Sequence, residues 1–220
     1  IGSASQWWLH HSLLSLRTGL AEQGLELILK SGATVAALSA LAAQTGATTV
    51  YCSRHYQPWA GALETTLKER LSKQGVRLKR YPGTLLHEPE DVATGGGTPF
   101  KVFTPFWRAC NRRPDPHQPV PVPELTPYNG LIESEELLDW GLLPTSPNWA
   151  FDWNDLWHPG EAGAQTALTQ FLDYHVQDYG DGRDIPAEPN TSKLSPYLRF
   201  GNLSPRQVWH AAQASKLERS

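Results

Sequence analysis

Apolar residues Trp8, Leu9, Leu13, Leu16 and Leu20 return at helical spacing behind Ser5, and Gly19 and Gly24 close the run. The pattern predicts a helix with Ser5 as its N-cap. Residues 25–29 form a short apolar stretch ended by Ser31 and Gly32 and read as a strand, while residues 34–44 are helical, rich in Ala and Leu, and stop at Gly46. Residues 48–52 are β-branched and aromatic, residues 60–74 set Leu63, Leu67 and Leu71 four apart on one face, and residues 76–81 return to strand character. Helices alternating with short strands place this half of the chain in the α/β class, with a parallel sheet. A doubly wound domain that opens on a helix is expected to have its first strand upstream of Ile1.

The texture changes between Arg113 and Pro159. Pro114, Pro116, Pro119, Pro121, Pro123, Pro127, Pro144 and Pro147 exclude regular structure there, apart from a short helix near residues 134–138. This stretch reads as an interdomain connection. Exposed tryptophans at its density would be costly, so Trp140, Trp149, Trp153 and Trp157 are expected to pin it to the domains. Beyond Gly160, residues Ala162, Leu168, Phe171, Leu172 and His175 fit one long helix ending near Tyr179 and Gly180. Ser195 with Pro196, and Ser204 with Pro205, each pair an N-cap hydroxyl with a first-turn proline. The first of these helices would end at Gly201, and the second would bury Val208, Trp209 and Ala212. The expected organisation is a partial α/β domain over residues 1–118, a connection over 119–158 and the start of an all-α domain over 159–220.

Composition narrows the function classes. A net charge of −3 gives no overall basic field, so any nucleic-acid contact needs a local patch. The two cysteines, Cys52 and Cys110, are too far apart for a zinc or disulfide framework, which fits a reducing cytoplasm. His10 and His11 read as helix surface rather than metal ligands. The apolar run at residues 35–43 is too short to span a bilayer, which needs about 20 residues, so no membrane partner is expected. Gly95, Gly96 and Gly97 precede no helix of dinucleotide-binding type and read as a turn.

The densest polar cluster is Thr191, Ser192, Lys193, Leu194 and Ser195, set directly before the helix that Pro196 opens. Helix starts carry unpaired N–H groups and about half a positive charge, so hydroxyls and a lysine there suit a diphosphate; ordinary capping is the plainer reading of the same run. No triad or carboxylate pair points to acid–base catalysis, and no catalytic residue is assigned.

The chain is identified as resembling the photolyase and cryptochrome family. Residues 179–186, 191–201 and 203–206 are similar to that family's FAD-binding signature almost position for position. Trp157, Pro159, Gly160, Glu161 and Ala164 resemble the opening of its helical domain, residues 101–107 the close of its antenna domain, and Ser5, Gln6, Trp7, Trp8 and Leu9 a further matching segment. The resemblance implies an internal fragment, inactive alone, of a bacterial-type class I photolyase. Its parts would be a Rossmann-like antenna domain, with residues 51–59 on one wall of the antenna site, and the beginning of an FAD-binding domain. It implies that Tyr179, Thr191, Ser192, Leu194 and Ser195 hold the FAD diphosphate with Lys193 beside them. Arg183 would meet DNA, with Arg199 and Arg206 as weaker candidates, and Asp184 offers Arg183 a plain local ion pair. The implied activity is light-driven, FAD-dependent repair of cyclobutane pyrimidine dimers in DNA, by a monomeric carbon–carbon lyase with a second antenna chromophore of open identity. A cryptochrome-type photoreceptor without repair activity is the alternative.

Overall fold

A computed structural model describes residues 1–218. Helix α1 (Ser3–Ala21) has Gly2 at its N-cap position, so Ser5 lies inside the helix and does not cap it. The apolar period carries no information about a polar first turn, which Ser3 and Ala4 extend at little cost. Helix α2 (Thr34–Thr45) ends at Gly46, whose φ of 67° is the left-handed conformation that glycine adopts freely. Strands β1 (Thr49–Ser53) and β2 (Arg77–Tyr81) pair in parallel with Val50 opposite Leu78, joined through α3 (Pro58–Ser72) as the alternation required. Ala42, Leu67, Leu71 and Val76 form a small core with Val50 and Leu78, so α2 and α3 cover the same face of the sheet.

Residues 25–30 join no ladder, against the strand expected at 25–29. A strand needs a neighbour, and here the neighbour is the connection: the Leu29 N–H donates to Ser134 Oγ at 2.9 Å, and the Glu135 N–H donates to the Leu29 carbonyl at 2.9 Å. Helix α4 (Phe103–Asn111) was not foreseen as an element. The helix expected near residues 134–138 is a single 3-10 turn, Leu137–Trp140. The connection adds one short helix, α5 (Trp153–Leu156), and its tryptophans are docked. Trp149, Trp153 and Trp157 pack on a core, and the Trp140 indole N–H donates to Glu135 at 2.8 Å.

That larger core joins the two ends of the chain. Trp7 and Trp8 of α1 are buried with Ala150, Ala164, Leu168, Leu172, Leu194, Tyr197 and Leu203. Edge-to-face contacts at 4.9 Å from Trp8 to Tyr197 and 5.3 Å from Trp7 to Trp153 fix the ring directions. His10 of α1 is also buried, 6% exposed, and is not the surface residue its spacing suggested.

The expected long helix after Gly160 is α6 (Glu161–Gln170), followed by a wide π turn over Phe171–His175 and a short helix α7 (Tyr179–Gly182). Helix α8 (Ser195–Phe200) ends at Gly201 in the left-handed conformation, as predicted. Helix α9 (Pro205–Glu218) opens on a capping box: Ser204 Oγ accepts the Gln207 N–H, and Gln207 Oε1 accepts the Ser204 N–H. Its buried side runs through Val208 and Ala211, whereas Ala212 is exposed.

Candidate functional site

The loop before α8 is built on one unfavourable backbone choice. Lys193 has φ of 50°, a left-handed conformation that costs an L-residue about 1–2 kcal/mol. Flanking contacts hold it there: Ser192 Oγ accepts the Leu194 N–H at 3.4 Å, and the Leu194 side chain, 3% exposed, is anchored in the large core. Leu194 therefore occupies the N-cap position of α8 and Ser195 is its first helical residue, contrary to the expectation that Ser195 caps it. The hydroxyl that orders the turn is that of Ser192.

Thr191, Ser192 and Lys193 form one wall of a cavity of about 340 Å³. Facing walls come from Trp157, His158, Phe171, His175 and Tyr197. Tyr179 stands behind this lining, its ring 5.6 Å from that of Phe171, edge to face. The Leu194 side chain points into the core and Ser195 lies outside the lining, so these two can serve a ligand only through α8's first turn. Sequence reasoning had not selected Phe171, His158, His175 or Tyr197. The π turn offers Phe171 to the cavity while Leu172 enters the core, and no simple period encodes that. Burial pushes the Tyr197 phenol above its ordinary range, with a hydrogen bond involving the His158 backbone acting the other way, so it stays a neutral donor near pH 7.

Two glycines close the site by tight approach. A Cβ on Gly163 would strike the His158 carbonyl, and one on Gly182 would strike the Asn190 side chain, so side-chain bulk at either position would push a wall of the cavity or its adjoining loop outward.

Arg183 keeps an exposed side chain, 3.9 Å from the Asp184 carboxylate and 5.8 Å from the Tyr179 ring centroid. The ion pair is solvated and contributes little, which leaves the guanidinium accessible. Arg199 lies against Phe200. Arg206 has its Nε buried without a partner among the described residues, unlike a solvated surface arginine.

A second polar cluster sits at the carboxyl ends of the strands. Glu88 accepts the Tyr56 hydroxyl at 2.7 Å and pairs with Arg54 at 2.9 Å, while Arg54 also holds Glu90. Burial, reinforced by the hydrogen bond to Glu88, pushes the Tyr56 phenol up to about 12. The His55 N–H donates to Glu64 at 3.3 Å, a carboxylate that α3 brings to His55 from nine positions along the chain. No group of three or more metal-ligating side chains occurs among the described residues, and no helix is long and apolar enough to cross a membrane.

The family described as DNA photolyase matches residues 1–124. A deoxyribodipyrimidine photo-lyase of Agrobacterium fabrum (strain C58 / ATCC 33970) is 44% identical over 214 residues, covering 97% of this chain and 45% of that protein. Cryptochrome-2 of Arabidopsis thaliana is 31% identical, covering 98% of this chain and 36% of the relative. The crystal structure of a bacterial class III photolyase from Agrobacterium tumefaciens superposes with a TM-score of 0.91 at 45% identity, over 96% of this chain and 44% of that one. The chain thus spans less than half the length of these relatives. With more than half of its residues matched by the family and its fold shared nearly end to end, the chain belongs to the DNA photolyase family.

Proposed function

We propose that this chain is part of a photolyase that repairs cyclobutane pyrimidine dimers in DNA, and that the loop at Thr191, Ser192 and Lys193 seats the diphosphate of FAD. The observation that carries the reading is the cavity itself. Two hydroxyls and an ammonium line it together with aromatic and imidazole side chains, Tyr197 of α8 among them. At about 340 Å³ it suits the diphosphate end of the cofactor rather than all of it. When bound, FAD would supply light absorption and the electron that opens the dimer. The protein's own residues bind and orient: Lys193 lends a point charge, Ser192 holds the turn, Tyr179 backs Phe171, and Arg183 offers an exposed guanidinium to a DNA phosphate. The proposed organisation keeps an α/β part over residues 1–118 and a helical part from residue 159. Identity of 44% to a named photo-lyase, against 31% to a named cryptochrome, favours repair over signalling.

The test is made in the full-length protein. Ser192→Asp places a carboxylate in the cavity lining, where it can still accept the Leu194 N–H, and Ser195→Asp adds a second negative charge at the start of α8, beside the lining. FAD retention after gel filtration should fall more than about tenfold with melting unchanged. Undiminished flavin absorbance would remove the diphosphate seat. Failure of the parent to split thymine dimers under blue light would leave the photoreceptor reading.

A further inference from the structure

The face of the sheet opposite α2 and α3 is unlike the surface a packing helix covers. Its positions are Thr49, Tyr51 and Ser53 on β1 and Arg77, Lys79 and Tyr81 on β2, with Tyr51 opposite Lys79 and Ser53 opposite Tyr81. None is aliphatic, whereas parallel strands buried on both faces are near-continuously aliphatic. Tyr51 is 62% and Tyr81 52% exposed. Their rings are nearly parallel, 23° apart with centroids at 6.1 Å, and the Lys79 ammonium lies 5.8 Å from the Tyr51 centroid. Nearby acids are committed elsewhere, Glu88 and Glu90 to Arg54 and Glu64 to Arg80, and no described carboxylate pairs with Arg77 or Lys79.

We infer that this face binds single-stranded nucleic acid, with bases stacking on Tyr51 and Tyr81 and phosphates met by Arg77 and Lys79. Flat exposed rings interleaved with unpaired cations on an open sheet are what a flexible polyanion with π faces requires, and they give little to an apolar partner. The surface lies on the α/β part of the chain and is independent of the cofactor cavity and of Arg183.

The experiment measures fluorescence anisotropy of a labelled oligothymidylate of about a dozen nucleotides with the full-length protein at low salt. Binding should weaken about tenfold or more in Tyr51→Ala/Tyr81→Ala and persist in Tyr51→Phe/Tyr81→Phe, which keeps the rings. Arg77→Ala/Lys79→Ala should flatten the salt dependence by between one and two counterions. Both rings are more than half exposed, so unchanged circular dichroism is expected throughout. The inference is overturned if the parent does not bind, if the alanine pair binds like the parent, or if loss follows Arg183→Ala instead. It is equally overturned if sedimentation shows a dimer that the tyrosine variants dissolve while the oligonucleotide is ignored.

Discussion

The Trp8 indole N–H donates to Asn202 Oδ1 at 3.0 Å across 194 positions of sequence, and Ser12 Oγ donates to the same oxygen at 3.2 Å. This joint ties α1 to the turn between α8 and α9, and it sits at the edge of a core in which Trp8 is 4% exposed. Trp8→Ala should therefore cost about 3–5 kcal/mol, the range for emptying a buried aromatic site. Trp8→Phe keeps most of the bulk but loses the donor, and should cost about 1–2 kcal/mol, since Ser12 still satisfies the amide oxygen. Urea denaturation followed by circular dichroism separates the two. An alanine variant within about 1 kcal/mol of the parent would show that α1 is not held by this core.

Acid should loosen the same region. Burial lowers the His10 pKa below its ordinary 6.5, and the Arg17 charge adds to it; burial and the His10 charge do the same to His11. The unfolded chain then binds more protons than the folded one as pH falls past 6.5, so stability is fully present above that value and lost progressively below it. Urea midpoints should be flat down to about pH 7 and drop towards about pH 5. His10→Leu should shallow that acid limb. An equally steep limb in the variant would assign the loss to other groups.

Gly182→Ala forces a methyl group against Asn190, and residues 183–190 lead directly into the Thr191 loop. The expected cost is about 1–3 kcal/mol by overpacking, with a further loss of cofactor retention in the full-length protein. Pairing it with Asn190→Ala makes room for the methyl group. Recovery of stability in the double variant would identify that contact as the cause, and no recovery would reject it.

Lys193→Gly separates the backbone at this position from its ammonium. Glycine adopts the left-handed φ without a steric cost, so the variant should melt at or slightly above the parent, while losing a point charge at the proposed phosphate seat. Weaker flavin retention with undiminished stability is the expected pair of results. Melting clearly below the parent would mean that the lysine side chain contributes more to the fold than its exposure suggests.

Much of the fold was legible because helices and paired strands write their period locally. Residues 34–44 and 60–74 read as helices from Leu and Ala spacing alone, and Gly46 and Gly201 marked the ends of α2 and α8 by conformation. What failed were features decided by distant partners. The backbone of Leu29 bonds the connection rather than a strand, and nothing within residues 25–29 could announce that. His10 is 6% exposed, and its spacing on α1 carries no sign of that burial. The site was legible in part, since Thr191, Ser192 and Lys193 stood out as a polar cluster before a helix start. Its opposite wall was not, because His158, Phe171, His175 and Tyr197 converge only after the π turn and the Leu194 anchor have set the backbone.

The clustering of indoles around α1 has an optical consequence. Trp7, Trp8, Trp149, Trp153 and Trp157 form a run of neighbours with centroids between 4.9 and 6.3 Å, in edge-to-face orientations. Transition dipoles this close and this oblique couple, and such coupling produces strong near-ultraviolet ellipticity that vanishes when the rings separate, even where helix content survives. The molecule thus carries an intrinsic gauge of whether α1 and the connection are seated on the C-terminal helices. That gauge needs no dye, no bound cofactor and no added label.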